Sequence, residues 1–108
     1  MTLEELRKQI DVLDRQLVTL LSQRAEAALE AGRLKVATDL PIYEPAREKL
    51  IYENVRKANA GPLPDIELIH IFERIVDVMR SLQKNELASQ RQAQAVAVGH
   101  EPETGSRQ

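Results

Sequence analysis

Cysteine is missing from this chain of 108 residues, which removes disulfides, thiolate nucleophiles and zinc sites of the cysteine type together, and the cytoplasm is the compartment such a composition suits. Tryptophan is missing as well and phenylalanine occurs once. A core therefore has to be assembled from Leu, Ile, Val and Ala, the side chains that interdigitate in helical bundles. Charge of one sign is not in excess: the formal net charge is -2, which gives no positive field of the kind that displaces counterions from nucleic acid. Long apolar runs are lacking too. The first residues, Leu3-Glu4-Glu5-Leu6-Arg7-Lys8, mix charges with leucines, unlike a signal peptide or a membrane-spanning helix, so the fold is expected to begin there. Neither nucleic acid nor membrane is an expected partner, and no cluster of metal ligands stands out.

What is present, 43% hydrophobic and 30% charged residues, is the composition of one small folded domain. Apart from a lone Gly32, which a helix tolerates at a cost of about 1 kcal/mol, prolines and glycines fall at Pro41, Pro45, Gly61, Pro62 and Pro64, then not until Gly99. Three segments result. Thr2 is followed three residues later by Glu5, a capping-box spacing, and predicts a helix from about residue 3 to about 37. Pro45 suits a first helical position, and Ala46, Leu50, Ile51, Val55 and Ala58 recur at helical spacing until Gly61-Pro62, which predicts a second helix over about 44–60. Asp65 is a candidate N-cap for a third, whose stripe of Leu68, Phe72, Ile75, Met79 and Leu82 runs beside Ile69 and Val76. Residues 89–108 contain no Leu, Ile or Phe and are expected to form a mobile polar tail outside a domain of residues 1–88.

The first helix carries a coiled-coil seam, Leu3, Leu6, Ile10, Leu13, Leu17 and Leu20, in alternating steps of three and four. At 1.5 Å per residue it is roughly 50 Å long, whereas a compact domain of about 90 residues is roughly 31 Å across. Two shorter helices cannot cover such a seam. The economical solution is a second copy of the chain, antiparallel by two-fold symmetry, making an intertwined all-α homodimer with three helices per chain. An elongated monomer would leave these leucines in water.

Polar residues interrupt the apolar pattern. Arg24 stands where the seam asks for an apolar residue, so its side chain either snorkels to the surface or meets an anion inside the bundle. Ala27, Ala28 and Ala31 beside it are small and open space between helices. Lys35 lies eleven residues further on, about 20° off the same face. Arg47 and Glu48 occupy the first turn of the second helix beside Glu44; alone they read as a capping cluster. Gln83 continues the seven-residue steps of Ile69 and Val76, either as a buried amide or as a helix end emerging into water. Arg7 sits next to the seam, near the end of the helix that a dimer sets against the other chain.

These residues together resemble the all-helical class of chorismate mutase. The resemblance covers about residues 3–87 and rests on Leu6-Arg7-Lys8-Gln9-Ile10-Asp11-Val12-Leu13-Asp14, Leu20-Leu21-Ser22-Gln23-Arg24, Gly32-Arg33-Leu34-Lys35, Pro45-Ala46-Arg47-Glu48, and Phe72-Glu73-Arg74-Ile75-Val76 through Leu82-Gln83, five elements in order at these spacings. It implies an interlocked dimer and the [3,3] rearrangement of chorismate to prephenate in the synthesis of phenylalanine and tyrosine, without metal or cofactor. By the same resemblance Arg24 and the partner chain's Arg7 take the two carboxylates, Lys35 and Gln83 donate to the ether oxygen, Glu48 accepts from the ring hydroxyl, the backbone at Glu44 assists, and Arg47 supports the charge network.

Two departures from the family pattern are present. Met79 stands where the best-known members carry a serine that bonds a substrate carboxylate, and Met cannot donate. Glu44 replaces a loop aspartate, which matters little if its backbone is the contact. Two other functions share the pattern: an isochorismate pyruvate-lyase of the same fold, against which Glu48 argues, and a non-catalytic regulatory dimerisation module, against which the joint presence of Arg24, Lys35, Arg47, Glu48 and Gln83 argues.

Overall fold

The computed structural model describes the backbone of residues 1–99 and the side chains of residues 1–93. Among the described residues three helices follow one another: α1 (Leu3–Ala37), α2 (Pro45–Ala58) and α3 (Asp65–Gly99). α3 is the element against which both others pack. Among the described residues no helix is long and apolar enough to cross a membrane.

The start of α1 is the expected capping box. The Thr2 hydroxyl accepts from the Glu5 amide at 3.1 Å, and the Glu5 carboxylate accepts from the Thr2 amide at 2.8 Å. The Thr2 backbone amide, and after it the Thr2 hydroxyl, hold the Glu5 carboxyl below its ordinary range. The far end closes with a Schellman motif. The Asp39 amide donates to Val36 O (3.2 Å) and the Leu40 amide to Lys35 O (2.7 Å), with Asp39 in the left-handed region at φ 60°. This sharp stop reverses the chain, so residues 42–44 return alongside the last turn of α1.

α2 begins at Pro45, in the first helical position, with the Glu44 carbonyl accepting from the Glu48 amide at 3.1 Å. Its observed span lies inside the expected 44–60. Asn59 organises the turn into α3: its side-chain amide donates to Leu63 O (2.8 Å) and to Asp65 Oδ1 (2.7 Å), and its carbonyl oxygen accepts from Gly61 N (3.0 Å). Asp65 is thus the first residue of α3 and not its cap; the Pro64 carbonyl accepts the opening bond from Leu68, at 3.1 Å.

The third helix runs on past residue 88, into the expected tail. It continues through Gly99, so residues 89–99 are helical and only 100–108 of the expected tail lie outside the described residues. Burial is not required for this extension. Ala and Gln make up six of the eleven residues of the segment, both good helix formers, and adding a residue to an existing helix avoids the cost of nucleation.

Within one chain the core is thin. Val76 and Met79 are the buried hydrophobics, with Gln83 and Gly32 buried beside them. The expected stripe on α3 is otherwise half-buried, and residues 1–23, the whole N-terminal part of α1, are exposed. Every seam residue from Leu3 to Leu20 is 43–62% exposed. The radius of gyration is 19.4 Å, against about 13 Å for a compact chain of this length.

Candidate active site

A cavity of about 460 Å³ opens between the C-terminal half of α1, the first turns of α2 and the middle of α3, a size that suits a small-molecule ligand. Ala27, Ala28 and Ala31 form its floor on α1, where larger side chains would fill it. Ile42, Ile51, Val76 and Met79 supply the apolar walls. The polar lining is Arg24, Lys35, Glu44, Arg47, Glu48, Arg80 and Gln83.

Lys35 is anchored by the reversal that follows α1. Its ammonium donates to Ile42 O at 2.9 Å, pairs with Glu44 Oε1 at 2.9 Å and reaches Gln83 Oε1 at 3.5 Å. An ammonium has three N–H groups, so all are directed; the longest of these contacts is the one a ligand oxygen replaces most readily. Gln83 is 8% exposed, the buried amide of the two alternatives its position allowed. Its nitrogen donates to Ala28 O at 2.7 Å, while its oxygen faces Lys35, so one amide hydrogen remains for a ligand.

Glu48 and Arg80 form a two-pronged ion pair. Arg80 Nε donates to Glu48 Oε2 at 3.0 Å, and Nη2 donates to Oε1 at 2.9 Å and Oε2 at 2.7 Å. The hydrogen bond to Glu48 is the first cause that raises the Arg80 guanidinium above its ordinary value. Next to this pair, burial and then the negative charge of Glu48 push the Tyr52 phenol up, which keeps it neutral.

Arg24 is half-buried on the cavity wall, Arg47 is exposed at its edge, and neither has an ion-pair partner among the described residues. Of the eight residues singled out in the sequence, seven line this one cavity: Arg24, Lys35, Glu44, Arg47, Glu48, Met79 and Gln83. Arg7 does not. It is exposed on α1, seventeen residues or about 25 Å along the helix from Arg24. Arg80 was not singled out, although a signal exists: it lies four residues after Val76 and three before Gln83, hence on their face of the helix.

Residues 6–84 match the family model "Chorismate mutase type II", and the chain belongs to that family of all-helical proteins. It is 38% identical over 86 residues to a bifunctional chorismate mutase/prephenate dehydratase of Aquifex aeolicus, a match covering 76% of this chain and 24% of that protein. To the chorismate mutase of Methanocaldococcus jannaschii it is 34% identical over 86 residues, covering 79% of this chain and 87% of that one. The chain thus spans about a quarter of the length of the bifunctional relatives and most of the length of the single-function one. Among solved structures, chorismate mutase from Helicobacter pylori in complex with prephenate superimposes with a TM-score of 0.73 at 34% identity, over 80% of this chain and 93% of that one.

Proposed function

We propose that the chain catalyses the rearrangement of chorismate to prephenate. One observation carries the reading: the cavity holds four cationic and two anionic side chains, a formal excess of two positive charges, and leaves Arg24 and Arg47 without an ion-pair partner among the described residues. That is the complement of a dicarboxylate dianion of modest size. Membership of the chorismate mutase family and the prephenate held by the H. pylori relative support it.

The reaction breaks the ether C–O bond and forms a C–C bond within one molecule, so it needs no nucleophile, metal or redox cofactor. What it needs is orientation and fixed donors. Guanidinium groups from Arg24, and from Arg7 of the partner subunit, hold the two carboxylates so that the enolpyruvyl arm folds over the ring. Arg47, which also lines the cavity, supports the charge network around these carboxylates. As the C–O bond lengthens, negative charge grows on the ether oxygen, and Lys35 with the free Gln83 hydrogen stabilises it more in the transition state than in the ground state. Glu48 accepts the ring hydroxyl, assisted by the backbone at Glu44. A carboxylate acceptor there favours chorismate over isochorismate, whose hydroxyl sits on another carbon.

The active form is proposed to be an intertwined homodimer, working in the cytoplasm. The seam on α1 supports the pairing. Its six residues, with Val18 and Leu21, are about half exposed, so covering each returns roughly 1 kcal/mol, and two chains together on the order of 15 kcal/mol, at or above the association cost of roughly 4–15 kcal/mol. An antiparallel pairing about an axis level with residues 15 and 16, inside the seam, sets Arg7 of the partner subunit opposite Arg24. The test is the wild type beside Arg24→Ala in a chorismate-consumption assay: the wild type converts chorismate, and Arg24→Ala falls at least a hundredfold with its helical circular dichroism intact. A wild type without activity, or a variant near wild type, overturns the reading.

A further inference from the structure

Arg80 has no role in the scheme above, yet it makes the most extensively bonded ion pair of the cavity. Its guanidinium meets Glu48 side-on through Nε and Nη2 at 2.7–3.0 Å, stacks 4.7 Å above the ring of Tyr43, and pairs with Asp77 one turn back at 3.4 Å. The Glu48 and Arg80 side chains are 17% and 24% exposed, so the pair is poorly screened by solvent. Three elements meet in it: Tyr43 from the loop before α2, Glu48 from α2 and Arg80 from α3.

The charge pattern gives this pair a purpose. Glu44 is neutralised by Lys35 and Glu48 by Arg80, so neither acid engages Arg24 or Arg47, and these two cations have no ion-pair partner among the described residues. Without Arg80, Glu48 is an unpaired carboxylate on the wall of the same cavity, able to compete with an anionic ligand for both. The fork also restricts direction: its prongs engage both Glu48 oxygens from one side, Oε2 accepting twice and Oε1 once, so Oε1 keeps a lone pair with which to accept from a hydroxyl.

We propose that Arg80 is a positioning residue, which neutralises and aims Glu48 so that Arg24 and Arg47 stay available to the substrate's carboxylates. This rests on the chorismate reading of the cavity.

Steady-state kinetics on chorismate, with thermal melts of each protein, test it in four variants: Arg80→Met, Arg80→Lys, Glu48→Gln, and Arg80→Met combined with Glu48→Gln. Arg80→Met raises KM at least tenfold. The double variant has a KM several-fold below that of Arg80→Met, because removing the carboxylate removes the competing anion. Arg80→Lys restores the charge without the fork, so KM returns to within about threefold of wild type while kcat stays reduced. A purely structural role predicts the reverse: the two KM effects multiply in the double variant, and Arg80→Lys follows its melting temperature and not its charge. Multiplied effects, an Arg80→Met KM near wild type, or an Arg80→Lys KM as high as that of Arg80→Met each overturn the inference while the mutase reading stands. Should Arg80→Met fail to fold, the Arg80→Lys split between KM and kcat decides alone. A wild type inactive on chorismate overturns both.

Discussion

Gly32 on α1 lies directly against Gln83 on α3: a Cβ built on the glycine would stand 3.0 Å from Gln83 Cγ and 3.2 Å from its Cβ. The glycine is therefore the space into which the amide side chain of the site is packed. Gln83 is in turn held at its tip by Ala28 O and Lys35, so it cannot retreat without losing the geometry that presents its remaining hydrogen.

Gly32→Ala sets two effects against each other. Alanine in a helix interior gains about 1 kcal/mol over glycine, and the crowding at Gln83 removes a similar amount. Stability is expected within about 1 kcal/mol of wild type, with kcat/KM down at least tenfold as the amide shifts by a few tenths of an ångström. Paired denaturation and kinetic measurements check this; unchanged kcat/KM in a folded variant would detach Gln83 from catalysis.

Gln83→Glu keeps the shape of the side chain and makes donation depend on a proton. When ionised, the new carboxylate cannot donate to Ala28 O, and it presents a like charge to the developing oxyanion. Activity is expected to be poor near neutrality and to recover as pH falls toward and below the ordinary glutamate value of about 4.3, whereas the wild type stays comparatively flat over that range. Parallel pH profiles for the two proteins would remove α3 from the catalytic wall.

Much of this site is legible in the residue pattern, and the reasons are local. A capping box at Thr2, a proline at a helix start and an arginine inside a leucine seam each state a physical requirement within a few residues of sequence. What was not legible depends on neighbours distant in sequence. Arg80 looks like any surface arginine until Glu48, thirty-two residues earlier, is packed against it. Gly32 reads as a tolerated defect until α3 crosses it. The extension of α3 past residue 88 had a local cause after all: helix propensity, which an expectation based on burial undervalues.

Asp39 tests the reversal that delivers Ile42 and Glu44 to Lys35. An aspartate at φ 60° is disfavoured by roughly 1 kcal/mol, while glycine in its place loses part of that gain, about 0.5 kcal/mol, through the entropy of the unfolded chain. Asp39→Gly should stabilise the protein by roughly 0.5 kcal/mol, seen calorimetrically as a melting temperature higher by a degree or more, with kcat/KM unchanged.

The proposed sharing of the site between two chains makes a prediction that no single chain can satisfy. Light scattering at micromolar concentration should give about twice the 12.2 kDa chain mass. Arg7→Ala and Arg24→Ala proteins, each inactive alone, should regain part of the wild-type activity when their subunits are exchanged, because a hybrid dimer contains one cavity with both arginines. A stable helical monomer contradicts the pairing. So does the absence of recovery after verified exchange.

Product analysis by proton nuclear magnetic resonance, with chorismate and isochorismate offered separately to the purified wild type, decides the chemistry. Chorismate should disappear with matching appearance of prephenate, an isomer of the same mass, and no pyruvate, while isochorismate is consumed at least a hundredfold more slowly. Release of pyruvate, or preferential consumption of isochorismate, would contradict the roles given to Glu48 and Arg24 and make the cavity that of a lyase.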